Sequence, residues 1–182
     1  MTQKAIYNRI PGISFVSNKR RLAQIFERMS RHYDADFNFA PKSFVLPDDL
    51  QRLKRHFGKK PDKHFMIAKP QDGSEGCGIF LVQSMKDIPK YAIQQEYVVQ
   101  DYLAHPLLLD KKKFDLRVYV LVTDLAPMTA FIADEAMVRF CTENYEEPTN
   151  ENKHVLLSHL TNFSLNKLSD KYVNGDDLEM QS

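Results

Sequence analysis

The period of the hydrophobic residues changes once along this chain, at the stretch GKKPDK, residues 58–63. Before it, apolar side chains recur at helical spacing. Leu22, Ile25, Phe26 and Met29 mark one face of KRRLAQIFERMSR, and Ser17 and Asn18 are placed to cap it. Leu46, Leu50, Leu53 and Phe57 mark one face of LPDDLQRLKRHF, where Asp48 and Asp49 favour the N-terminal end. After the change come short apolar or alternating runs: HFMIA (64–68), IFLV (79–82), EYVVQ (96–100), KFDLRVYVLV (113–122), MTAFIA (128–133) and MVRF (137–140). From Thr142 the chain is polar and loop-rich as far as HLTNFSLNK, residues 159–167. This order predicts an α+β fold, with a helical part over 1–57, a linker at 58–63 and a mostly antiparallel sheet with flanking helices over 64–182.

Composition narrows the function classes. A chain of 182 residues suffices for one domain or two small subdomains, and a net charge of +1 offers no global basic excess for nucleic acid. No apolar run approaches the ~20 residues of a membrane helix, and MTQKAIYNRI lacks the apolar core of a signal peptide. The expectation is a soluble, intracellular chain with no membrane or nucleic-acid partner. Cys77 and Cys141 lack metal-like spacing and read as reduced thiols or packing residues. His32, His56, His64, His105, His154 and His159 show no HxH or HxxxH spacing, so no metal site is predicted. The basic residues Arg20, Arg21, Arg28, Arg31, Lys54 and Arg55 are solvated helix faces or, alternatively, a docking surface for an acidic partner.

Four stretches could carry chemistry. In AKPQDGSEGCGIFLV (68–82), Gly73, Gly76 and Gly78 lie between two strand candidates with Lys69 at the root of the first. Glycines allow close backbone approach and can aim N–H groups at phosphate oxygens. A Walker A loop is excluded because no Lys-Ser/Thr follows the last glycine. A Rossmann turn is excluded because a strand follows rather than a helix. A kinase glycine loop would carry its lysine afterwards, not before. Two readings remain: a glycine-rich hairpin closing over a nucleotide, or a flexible hairpin with an exposed lysine. In KFDLRVYVLV, alternation puts Phe114, Leu116, Val118, Val120 and Val122 on one face and Lys113, Asp115 and Arg117 on the other. Such a charged row suits a polyanionic ligand in a cleft, or pairs with neighbouring strands on an open surface. In EYVVQDYL, an apolar strand runs into Gln100, Asp101, Tyr102 and Leu103, a mix able to grip a planar base. In MVRF, Arg139 interrupts an apolar strand and needs an anion, from a ligand or from a salt bridge.

NRIPG (8–12), IAKPQDGSEGCGIF (67–80), VVQDYLAHPLLLDKKKFDLRVYVLV (98–122), MVRF and HLTNFSLNK form an ordered series over nearly the whole chain. The series resembles the tubulin tyrosine ligase-like family, and most closely its polyglutamylase members. The resemblance implies an ATP-grasp-like fold and an ATP-dependent ligase. Such an enzyme activates a carboxylate as an acyl phosphate and joins it to an amino acid, here glutamate, on the acidic C-terminal tails of tubulin. It implies that Lys69 contacts ATP phosphates, with Glu75 and Gly76 in the flap over them, and that Gln100, Asp101, Tyr102 and Leu103 hold adenine and ribose. Lys113 and Asp115 would serve the nucleotide end, and Arg117, with Asp115, the reacting carboxylates. Arg139 would hold free glutamate. Thr161 and Asn162 match nucleotide-site positions, and Phe163 and Ser164 positions that contact the amino acid. The implied partners are tubulin and microtubules, in the cytoplasm and cytoskeleton, including the cilium or basal body.

The chain departs from the family pattern at several of these positions. Glu75 stands where Arg or Gln is common, Asp101 where a basic residue is usual, Phe163 for Tyr and Ala136 for Gly. The family's Mg²⁺ ligands lie in a later acidic segment and a Glu-x-Asn motif, so they are expected outside this chain, which is read as a domain incomplete at both ends. The alternative expectation is therefore a non-catalytic nucleotide- or microtubule-binding protein.

Overall fold

A computed structural model describes residues 10–59, 64–73 and 76–173. The chain divides into two compact units, Met1–Gly73 with Gly78–Leu103, and Ser74–Cys77 with Ala104–Ser182. That division does not follow the linker at 58–63, because strands on both sides of the linker pair in one sheet.

The first unit begins with helices α1 (Ile13–Ser17), α2 (Lys19–Ser30) and α3 (Asp34–Phe37), then strand β1 (Ser43–Val45) and helix α4 (Leu50–Phe57). Strands β2 (Met66–Pro70) and β3 (Phe80–Val82), helix α5 (Lys90–Gln94) and strand β4 (Tyr97–Asp101) complete it. Helix α2 starts where its cap predicts: Asn18 Oδ1 accepts the Arg21 N–H at 3.0 Å. Helix α4 starts later than the apolar spacing suggests. The Asp49 carboxylate bonds back to the Val45 N–H at 2.9 Å, which holds a turn ahead of Leu50. The reading of 1–57 as helical is corrected by β1, three residues too short to show a period.

These four strands form an antiparallel sheet in the order β1-β4-β2-β3. Directly opposed residues share a face. Phe44, Met66, Ala68, Val82, Tyr97 and Val99 pack with Leu46, Leu53, Ile88 and Ala92 as the main core, on the α4 side. On the other face Val45 and Val98 meet Ala23 of α2. Leu46, Leu53, Met66, Val82 and Val99 are fully buried. Ion pairs tie the helices in this unit: Arg52 to Glu27 and Asp49, and Arg20 to Asp48 and Glu96. Arg20 is thus committed within the unit rather than presented to a partner.

The second unit contains β5 (Leu108–Leu109), β6 (Lys112–Arg117), β7 (Val120–Leu125), β8 (Met128–Ile132) and β9 (Met137–Phe140), then helices α6 (Leu156–His159) and α7 (Phe163–Asn166). The single strand expected over 113–122 is corrected: it breaks at Val118–Tyr119 and its halves join different sheets. Strand β6 lies between β5 and β9, while β7 pairs with β8 alone. Each half follows its own partner, and the alternation, unbroken through the break, carries no sign of it. Asp110 and Lys111, the two residues turning β5 into β6, both have positive φ, 49° and 63°. That is the backbone hand that matches strand twist in a two-residue hairpin. Among the described residues no helix is long and apolar enough to cross a membrane.

Candidate functional site

In the first unit, Lys69 and Gln100 lie on the sheet face toward α2. Gln100 opposes Ile67, and Lys69 opposes Val98. Lys69 Nζ donates to Gln100 Oε1 at 3.0 Å, and Gln100 Nε2 donates to Ser43 Oγ at 2.9 Å. The ammonium is thus held by a neutral amide, with no ion pair to it among the described residues. Burial, and then the charge of Lys19, push its pKa below the usual lysine value. Lys19 itself donates to the carbonyl oxygens of Pro70, Gln71 and Gly73 at 3.2, 3.3 and 2.5 Å, gripping the root of the glycine loop.

The neighbouring residues of QDYL divide between environments. Asp101 opposes Met66 and so lies on the opposite face from Gln100. Its carboxylate turns to His56 and His64, not to the face that carries Lys69. Tyr102 is buried, with its N–H on the Phe65 carbonyl at 3.1 Å, and Leu103 is exposed. The hairpin expected around the glycines is present as β2 paired with β3. Gly78 (φ 70°) has Tyr97 Oη 3.2 Å and Pro70 Cγ 3.3 Å from where a Cβ would stand. Glu75 lies outside the described residues.

In the second unit, Lys113, Asp115 and Arg117 do share one face of β6. Asp115 directly opposes Arg139 of β9. The guanidinium grips both carboxylate oxygens, Nε to Oδ1 at 2.7 Å and Nη2 to Oδ2 at 2.5 Å, and Thr161 Oγ1 adds a bond to Oδ2 at 2.8 Å. Burial alone would raise the Asp115 pKa. The bonds from Arg139 and Thr161, with the charges of Arg139 and Arg117, outweigh it and hold the carboxyl below its usual range. The same pairing raises the Arg139 pKa. Of the two readings left open for Arg139, the salt bridge is the arrangement found. Lys113 Nζ donates to the His159 carbonyl at 3.0 Å, and Arg117 is exposed beyond the pair.

The segment HLTNFSLNK reaches this cluster through a residue that sequence reasoning passed over. Asn166, fully buried, accepts from the Thr142 N–H (2.8 Å) and hydroxyl (3.1 Å) and donates to the Leu160 and Asn162 carbonyls at 2.8 and 3.0 Å. It ties the chain after β9 to the turn that presents Thr161. Asn162 and Leu165 lie against Gly76 (φ 87°), where a Cβ would be 2.6 Å from Leu165 Cδ1. Phe163 is exposed and Ser164 half-buried. Cys141 is buried and burial pushes its pKa to about 11, so it stays a thiol, as the packing reading expects.

Among the described residues, the one cluster of three possible metal ligands is His56, His64 and Asp101. The histidine spacing concealed it, because the two lie on either side of the linker and meet an aspartate 37 residues further along. Mg²⁺ takes oxygen ligands, so this set does not fit the ion expected with ATP.

A mixed helix and antiparallel-sheet fold, with a lysine at the root of a glycine hairpin and an Arg–Asp–Thr cluster, defines the class. The Tubulin-tyrosine ligase family model matches residues 1–182, and the chain belongs to that family. It is 38% identical over 176 residues to Tubulin polyglutamylase TTLL11 of Homo sapiens, covering 93% of this chain and 25% of that protein. It is 38% identical over 170 residues to Tubulin polyglutamylase ttll6 of Danio rerio, covering 93% and 21%. With Tubulin polyglutamylase ttll-11 of Caenorhabditis elegans the identity is 36% over 180 residues, covering 96% and 25%. The chain thus spans about a quarter or less of the length of these relatives.

Proposed function

We propose that this chain is the nucleotide-handling part of an ATP-dependent, ATP-grasp-like ligase that adds glutamate to tubulin tails. The observation that carries the proposal is Lys69, a half-buried cation whose bonded partner is a neutral amide. A desolvated ammonium without a carboxylate is unfavourable alone and well matched to a phosphate. In the reaction, a tail carboxylate oxygen attacks the γ-phosphorus of ATP and ADP leaves. The amine of free glutamate then displaces phosphate from the acyl phosphate and loses a proton, forming the amide. Mg²⁺ would neutralise phosphate charge in this step.

Lys69 and Lys113 bring fixed positive charge, while Asp115 holds Arg139 in place. Because Asp115 takes the Nε–H and one Nη2–H of Arg139, the Nη1 nitrogen and the second Nη2–H are the part of that guanidinium left for a substrate carboxylate. Thr161 completes the Asp115 shell and orders the segment with Asn162, Phe163 and Ser164 beside it.

Calorimetric titration of the purified chain with ATP tests this reading. Lys69→Ala and Lys113→Ala should each weaken binding by about 1–3 kcal/mol, the usual worth of a charged hydrogen bond. Unchanged affinity in both variants refutes the assignment. Incorporation of labelled glutamate into tubulin, with ATP and Mg²⁺, separates ligation from nucleotide binding without ligation.

A further inference from the structure

We propose that His56, His64 and Asp101 form a binding site for a divalent transition-metal ion, for which zinc is the best chemical match. His56 stands in the last turn of α4, His64 two residues ahead of β2, and Asp101 at the end of β4. The Met66–Asp101 register puts Asp101 on the α4 face of the sheet. Asp101 Oδ1 lies 3.0 Å from His64 Nε2 and 3.4 Å from His56 Nε2, and one ligating atom from each residue falls within 4.8 Å of the others.

Those separations are close to the spacing an ion would need. Zinc bonds to nitrogen and oxygen are ~2.0–2.2 Å, so two ligand atoms on a tetrahedral ion stand roughly 3.3–3.5 Å apart. The oxygen already stands near that spacing from both nitrogens. Two imidazoles and one carboxylate favour zinc over the hard, oxygen-seeking Mg²⁺ and Ca²⁺. The side chains are 10%, 19% and 22% exposed for His56, His64 and Asp101. They are therefore sheltered. The Phe44 ring, 4.9 Å from that of His56, limits how the imidazole can turn. The three donors sit on separate elements whose spacing is fixed by the β2–β4 ladder and the core beneath α4. In the metal-free state His64 Nε2 and Asp101 Oδ1 stand at hydrogen-bond distance, 3.0 Å, and His56 Nε2 stands 3.4 Å from the same oxygen. The ion would take the place of that direct contact. The carboxylate of this site lies on the opposite sheet face from Lys69.

The test uses the full chain without a histidine tag, stripped with chelator, then titrated with Co²⁺ alone by visible absorption and with Zn²⁺ alone by calorimetry. One equivalent should bind, with cobalt bands typical of a tetrahedral site, and Zn²⁺ should raise the melting temperature. His64→Gln and Asp101→Asn should each weaken binding at least about tenfold, as loss even of outer-shell partners does. His105→Gln, at an exposed histidine near Glu147, should leave it unchanged. In the unaltered chain, Zn²⁺ should shift the imidazole NMR signals of His56 and His64 and not that of His105, a readout that needs no variant to fold. Absence of saturable binding overturns the proposal. So does full-strength binding in His64→Gln and Asp101→Asn, or zinc shifts confined to other histidines.

Discussion

The two units hold their strands by different means. In the first, the sheet has both faces covered: α4 and α5 pack over one, α2 over the other, and Met66, Val82 and Val99 are fully buried. In the second, the β7–β8 ribbon leaves Val120, Leu121, Phe131 and Ile132 at 57–70% exposure. Order there comes from directional bonds instead: Arg139 and Thr161 on Asp115, the four bonds of Asn166, and Tyr145 Oη on the Ala104 carbonyl at 2.6 Å. The contrast teaches where the charge can be placed. Apolar burial tolerates few cations, and Lys69 sits at the margin of it. A hydrogen-bonded strand pair can display a whole charged row.

Core truncation is the strongest way to break this contrast. Leu53→Ala should destabilise the first unit by about 2–5 kcal/mol, while Val120→Ala should stay within about 0.5 kcal/mol. Denaturant unfolding followed by a probe in each unit checks both; similar losses would remove the distinction. Next in size is Asp115→Ala. It should cost the second unit about 1–2 kcal/mol, a moderate figure because the carboxylate is 38% exposed and partly screened.

The pH dependence of Asp115 follows from its depressed pKa. Its stabilisation is present above the unfolded carboxylate range and is lost as pH falls through the lower folded value. The protection factors of the β6 and β9 amides, taken relative to the intrinsic exchange rate at each pH, should therefore fall in acid, and Asp115→Asn should flatten that response. The smallest effect concerns Lys69, whose lowered pKa means that folding disfavours its charged form. Lys69→Met should stabilise the first unit by up to about 1 kcal/mol while weakening ATP binding. Loss of both stability and affinity would show that the lysine serves the fold rather than a ligand.

Much of this architecture was legible where a signal is local. The Asn18 cap, the glycine hairpin and the strands β2, β4, β8 and β9 each announce themselves within a few residues. Strand β1 did not, since SFV is too short for a period, and β5 is only Leu108–Leu109. The break at Val118–Tyr119 is set by which partner each half finds, a non-local choice. The charged row of β6 was visible, but its anchoring by Asn166 depends on a segment beyond β9. The His56–His64–Asp101 cluster was invisible for the same reason: a helix end, a linker and a strand register together set its spacing.

Strand β6 is positioned twice, by the two-residue turn at Asp110–Lys111 on one side and by the Asp115–Arg139 pair on the other. Slipping β6 by one residue against β9 would turn every side chain to the opposite face. Phe114 and Leu116 would then stand where the charged row now does. An insertion at 110–111 therefore forces a choice between keeping the hairpin and keeping the ion pair. Arg139 works as a dowel that locks the phase of the strand, so length changes in this turn should be tolerated far less well than changes of residue type.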